Sequence, residues 1–160
     1  MPSDSEFPVD KLIRLYQEHA VEFMAKKVYR NLQRTSSRNG ILKAEAVFQV
    51  ASLLQKYGVN RLTDMNKIIG NPAFEADFKK IQGQSSGISL RYFYMLAGVE
   101  SEIKPDRMVI RFIESALGRP VKMEECHPLL VETCNLLTSD YPNLKLRSLD
   151  HAIWQFQRVR

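Results

Sequence analysis

Cysteine is scarce in this chain: Cys126 and Cys134 are the only two among 160 residues, and neither belongs to a Cys-x-x-Cys pair. Eight residues apart on what reads as one helix, they would stand about 12 Å apart along its axis, too far for a disulfide. Two thiols are too few for a four-cysteine iron–sulfur cluster or a cysteine-based zinc site, and a reducing compartment suits them. His19, His127 and His151 share no ligand spacing such as His-x-x-x-His, so no metal site is expected. No apolar run approaches the roughly 20 residues needed to cross a bilayer. The opening residues MPSDSEFPVD carry acids and no apolar segment, unlike a signal peptide. The expected location is the cytoplasm, away from membranes. The phosphate loop GxxxxGK[ST] and the fingerprint GxGxxG are both absent, which removes the simplest nucleotide-enzyme readings. No cofactor is implied.

Glycine and proline are modest, at seven each, which argues against a linker-rich or disordered chain. The apolar fraction of 44% is enough for a sizeable core. The formal charge is +5. Residues 1–80 hold 13 Lys/Arg against 9 Asp/Glu, and residues 81–160 hold 10 against 9, so the excess lies in the N-terminal half. Such a balance is compatible with a polyanionic partner without requiring one. The stretch Lys26-Lys27-Val28-Tyr29-Arg30 with Arg34 and Arg38 fits a solvated face at a helix end better than a phosphate patch.

No segment alternates apolar and polar residues over strand length, and the chain reads as all-α with seven or eight helices. Residues 1–8 read as a flexible leader, and 9–160 as a single helical domain or two closely packed lobes. Leu12, Leu15, Tyr16, His19, Phe23 and Val28 fall at three- and four-residue steps and predict one long helix over 9–32. Thr35 to Gly40 reads as a loop. A second helix is expected over 43–57, with Gly58 supplying the positive φ at its end. Thr63-Asp64 and Asn71-Pro72 resemble helix starts and predict short helices over 63–69 and 72–81. The next helices are expected from Ile88 to Ala97, from Pro105 to Leu117, from Pro128 to Leu137 and from Ser148 or Leu149 onward.

Two features stand out as chemistry. Gln82-Gly83-Gln84-Ser85-Ser86-Gly87 is the sharpest turn signal, flanked by helices on both sides. A hairpin of this kind exposes backbone N–H groups at the new helix's N-terminus, where they and the helix dipole can hold a phosphate. The plain alternative is an ordinary turn between helices. Asp106 follows Pro105 at the start of a predicted helix. It is either a first-turn carboxylate favouring the dipole or a carboxylate placed to stabilise positive charge on a sugar or to orient water.

A Gly-containing hairpin, an apolar helix ending in Gly, a short connection and then Pro-Asp opening a helix with Arg five residues on resembles the helix-hairpin-helix DNA glycosylase superfamily. The residues that carry the resemblance are Gly83, Gly87, Leu96, Gly98, Asp106 and Arg111, within a stretch from about Phe78 to Gly118. A weaker likeness covers Leu149-Asp150-His151-Ala152-Ile153-Trp154. The family hairpin usually reads Leu-Pro-Gly-Val-Gly-Arg-Lys-Thr-Ala, and here Ser85 replaces the second Gly. No lysine occurs between Lys80 and Lys104, so the Schiff-base lysine of bifunctional members has no counterpart. The iron–sulfur cysteines of some members are missing as well.

The resemblance implies a glycosylase-like helical fold and binding to double-stranded DNA through Gly83, Gln84, Ser85, Gly87 and Ser89, helped by Arg91 and Arg107. It implies a monofunctional base-excision glycosylase in which Asp106 is the catalytic residue and the target base is rotated out of the stack. Tyr16, His19, Tyr29, Tyr92 and Tyr94 are base-reading candidates by residue type alone. Trp154 and Phe156 read as core anchors, and His151 as a helix N-terminal or packing residue. The competing reading is a non-catalytic helical scaffold that binds DNA or a protein partner.

Overall fold

The computed structural model describes residues 7–99 and 101–159. The described residues form helices joined by turns and loops, with one isolated antiparallel bridge between Arg34 and Leu42 and no strand. The chain divides into two compact units, residues 1–87 and residues 88–160.

Unit 1 contains α1 (Val9–Glu18), α2 (Val21–Phe23, continuing as a π turn over Met24–Val28), α3 (Lys43–Lys56), a 3-10 turn (Leu62–Lys67) and α4 (Pro72–Lys80). The single helix expected over 9–32 is broken. His19 and Ala20 are extended, at φ −130°, ψ 133° and φ −62°, ψ 155°, and the chain restarts at Val21. Neither residue is a helix breaker, so the cause is tertiary packing overriding propensity. The break and the wider turn after it place Met24 and Ala25 in full burial, while His19 stacks on Phe23 across the gap at 4.4 Å.

Helix α1 begins at Pro8, which offers no side-chain acceptor. Asn60 from the loop after α3 takes over, accepting from Val9 N at 3.0 Å through its carbonyl and from Asp10 N at 2.9 Å through Oδ1. Tyr16 on α1 donates to the Ala44 carbonyl of α3 at 2.6 Å and lies 3.2 Å from the Tyr29 hydroxyl. Burial and the Tyr29 contact hold its phenol well above its ordinary proton affinity.

The expected loop, the α3 boundary and the α4 start agree with the sequence reading. Gly58 takes φ +73° after α3. Asn71 Oδ1 caps α4, accepting from Ala73 N at 3.0 Å and Phe74 N at 3.2 Å, with Pro72 in the first turn. Replacing Asn71 by Ala is expected to cost about 1 kcal/mol, read as a lower urea midpoint at unchanged slope.

Unit 2 contains α5 (Ile88–Leu96), α6 (Arg107–Leu117), α7 (Met123–Leu136, followed by a 3-10 turn over Leu137–Ser139) and α8 (Leu146–Arg158). Helix α6 packs on α7 and α8. Their shared core includes Ile103, Val109, Ile113, Cys126, Leu130 and Ile153, and Phe112 meets Phe156 edge-on at 5.7 Å.

Gly118 ends α6 at φ +64°. A side chain there meets nothing in space, so Gly118→Ala is expected to cost roughly 1 kcal/mol through backbone strain alone, measurable by denaturant titration. Helix α7 begins five residues before the expected start, leaving Pro128 inside it. The Glu125 carboxylate accepts from Lys122 N at 2.9 Å and anchors this earlier start, and the Pro128 ring requires only that one i→i−4 bond near the helix N-terminus be given up. The start of α8 is likewise earlier, at Leu146, whose side chain is buried. Of the expected leader, residues 1–6 lie outside the described residues, while Pro8 is buried.

Candidate functional site: a cleft in the second unit

The division between the units falls between Gly87 and Ile88. The expected hairpin residues Gly83, Gln84, Ser85 and Gly87 therefore belong to unit 1, while Ser89, Arg91, Asp106 and Arg107 belong to unit 2.

In unit 1 the turn is built as the sequence suggests. Gly83 and Gly87 adopt φ +83° and +74°, Gln84 N donates to Ile81 O at 2.9 Å, and Gly87 N donates to Gln84 O at 3.0 Å. The reason for glycine at 83 is intramolecular. A Cβ there would collide with the Thr35 side chain, and the Thr35 hydroxyl donates to Gln82 O at 3.1 Å. Gln82 Nε2 in turn donates to Asn39 O. Gln84, expected to contact DNA through its backbone, is buried, and its Oε1 has no hydrogen-bond partner among the described residues. Ser85, Lys79 and Lys80 are exposed, although Lys80 is paired with Asp77 at 2.7 Å.

In unit 2, Ser89 is exposed, and Arg91 reaches Glu102 Oε2 at 2.8 Å. Asp106 is the N-cap of α6 itself. Its Oδ1 accepts from Met108 N at 2.8 Å and Val109 N at 3.3 Å, while Oδ2 stands 3.7 Å from Lys104 Nζ. Arg107, the next residue, is exposed. The unit thus gathers Asp106, Lys104 and Arg107 at one helix start, and places Arg91 in a separate ion pair.

Lys104 also forms part of a cleft of about 630 Å³ within unit 2. One wall is α5, which offers Tyr92, Met95 and Leu96. These positions are spaced i, i+3, i+4 and so share a face. The other wall is α8, with Arg147, Asp150, His151 and Trp154 at steps of three and four. Lys104 Nζ sits 4.4 Å from the centre of the Tyr92 ring and bridges toward Asp106. Trp154 is half-buried, with His151 stacked 6.3 Å away at 12° and the Arg158 guanidinium 5.3 Å from its ring. Two aromatic faces are thereby framed by cations.

Asp150 is the unusual member. It is 6% exposed, and its Oδ1 has no hydrogen-bond partner among the described residues. Burial pushes its carboxyl up to about 6, helped by the nearby Asp106 charge, and opposed by a hydrogen bond from the Lys104 backbone N–H and by the Lys104 and His151 charges. A buried, under-satisfied carboxylate costs free energy, and such groups concentrate at sites where a ligand completes them.

The sequence reading did not choose Asp150 as a site residue and set Trp154 aside as a core anchor. The signal was the polar and aromatic stripe on α8, which repeats at helical spacing through a helix otherwise read only for its apolar side. Of the base-reading candidates, Tyr16 and Tyr94 are buried and Tyr92 lines the cleft.

Among the described residues, no three His, Cys, Asp or Glu side chains are grouped to hold a metal ion, and no helix is long and apolar enough to cross a membrane. No curated protein and no solved structure matches the chain. One family model does match, across residues 2–158, and it is described as a domain of unknown function, DUF8548. The chain belongs to the DUF8548 family.

Proposed function

We propose that this chain is a DNA-binding protein of the helix-hairpin-helix glycosylase type, whose second unit receives a nucleobase in the cleft between Tyr92 and Trp154. One observation carries the reading: two aromatic faces, the cations Lys104 and Arg147 and a buried carboxylate with an unused oxygen line one cleft. Aromatic faces stack bases of any sequence. The cations suit the phosphates on either side of a base removed from its stack.

The reaction that fits is hydrolysis of an N-glycosidic bond. The bond from the sugar to the base breaks, water adds to the sugar carbon, and the base leaves with a proton. Asp106 is the catalytic residue in this reading. Its Oδ1 is fixed by two backbone N–H groups, and Oδ2 stands 3.7 Å from the ammonium of Lys104, which lines the cleft; a carboxylate held in this way can stabilise developing positive charge. Location in the cytoplasm is part of the same proposal.

A non-catalytic DNA-binding scaffold is the second reading. It is favoured by Asp106 serving fully as a helix cap and by Gly83 being explained by Thr35. Fluorescence anisotropy on a labelled duplex tests the binding common to both. Affinity is expected to fall steeply with salt, and Lys104→Ala combined with Arg147→Ala is expected to weaken binding about tenfold and lower the salt slope. Absence of duplex binding at low salt overturns both readings.

A further inference from the structure

We infer that Asp150 is the specificity residue of the unit 2 cleft, selecting a heterocycle whose edge presents adjacent N–H donors, guanine above the other bases. This rests on the nucleobase reading of the cleft and extends it to the identity of the base.

The argument begins with the inventory of hydrogen-bonding groups. An ionised carboxylate only accepts, through two oxygens. One Asp150 oxygen set is engaged by the Lys104 backbone N–H, while Oδ1 is unpartnered and the residue is nine-tenths buried. On the α5 side of the cleft Met95 and Leu96 are apolar, and the Tyr92 hydroxyl makes no hydrogen bond to Oδ1. Asp150 lines the cleft, so a donor brought by a ligand would supply the missing partner. Met95 and Leu96, with the Tyr92 and Trp154 rings, call for a flat apolar body. Arg147 and Lys104 call for an anionic group attached to it.

A planar heterocycle bearing a phosphate meets all three demands. Guanine offers an imino and an amino N–H side by side, and the two lone pairs of the one unpartnered oxygen, Oδ1, can accept from both. Uracil and thymine offer a single imino N–H between carbonyl oxygens that would face the carboxylate. An unmet buried acceptor rejects the wrong partner more strongly than a poor apolar fit does.

The test uses the full chain and its single tryptophan, Trp154. Guanosine, inosine and uridine 5′-monophosphates are titrated separately while Trp154 emission is followed. The guanosine nucleotide is expected to bind about tenfold or more tighter than the uridine nucleotide, with inosine, which has one donor fewer, between them. In Asp150→Asn the three affinities are expected to converge, with guanosine 5′-monophosphate losing most. Asp150→Asn keeps an acceptor for the Lys104 N–H, and a matching circular dichroism spectrum with a cooperative melting transition at or above the wild-type temperature confirms that it folds.

Equal affinities in the wild type, or a guanosine preference that survives Asp150→Asn, would overturn the inference. Nucleotide discrimination without any duplex binding would leave Asp150 as the selecting residue and remove the nucleic-acid reading. Duplex binding without discrimination between nucleotides would do the reverse.

Discussion

At pH 7.5 the Asp150→Asn variant is expected to be more stable than the wild type, by about 2–3 kcal/mol, and this advantage is expected to vanish near pH 4. An Asp carboxyl ordinarily titrates at 3.8, and burial raises Asp150 to about 6. Between those two values the folded chain holds a proton that the unfolded chain has released. Stability contributed by this group therefore falls as pH rises through that window, and is restored only in acid. Above pH 6 the folded protein carries a buried charge whose Oδ1 has no partner. Asparagine removes the charge and keeps an acceptor for the Lys104 N–H.

Half-buried, ion-paired carboxylates run the other way. Asp64, held down to about 2 by hydrogen bonds from Lys67 and from the Asn60 and Arg61 backbone, stabilises the fold above pH 4 and loses that effect in acid. Asp77, lowered by Lys56, Lys80 and Tyr57, behaves likewise. The informative quantity is therefore the difference between variant and wild type at each pH, from urea titrations at pH 4, 5, 6 and 7.5. A variant less stable than the wild type at pH 7.5, or a difference that does not change with pH, would contradict the burial of an ionised Asp150.

The second large effect concerns Asp106 and separates its observed role as a cap from its proposed role in catalysis. As a cap, it holds the amides of Met108 and Val109. Asparagine caps about as well as aspartate, so Asp106→Asn is expected to change stability by less than about 0.5 kcal/mol, while Asp106→Ala costs about 1–2 kcal/mol. In the proposed glycosidic reaction its charge would face a cationic sugar, a role asparagine cannot take over. Base release from a panel of damaged-base duplexes is expected to fall about a hundred- to a thousandfold in both variants. If Asp106→Asn releases base as fast as the wild type, Asp106 is a cap and nothing more. If the wild type releases no base from any duplex yet binds it, the scaffold reading stands.

Much of the helical framework could be read locally because it is written locally. Asn71-Pro72 states a cap and a first turn, and Gly58 and Gly118 state helix ends in the left-handed region. What escaped was decided by distant contacts. His19 and Ala20 break a helix that their own chemistry would continue, because the burial of Met24 and Ala25 outweighs it. Pro128 looks like a helix start, yet the Glu125 contact to Lys122 begins α7 earlier.

The site divides the same way. Asp106 was visible from Pro105 and the helix behind it. Gly83 was visible as a turn residue, but the reason for it, Thr35, lies far earlier in the chain. Tyr92, Met95 and Leu96 form one stripe, and Arg147, Asp150 and Trp154 another. Each can be read on its own helix, but only the folded unit shows that they line a single cleft. Burial of Asp150 leaves no local trace, since Asp150 sits in the sequence like any other helical acid.

Trp154 emission provides the most direct measurement of nucleobase capture in the unit 2 cleft. A duplex carrying one unpaired base is added to the full chain at low salt and again at high salt. The expected result is saturable quenching that weakens with salt and disappears when the unpaired base is replaced by an abasic sugar. Emission unchanged by the unpaired base, or quenched equally by the abasic duplex, would contradict entry of a base into the cleft.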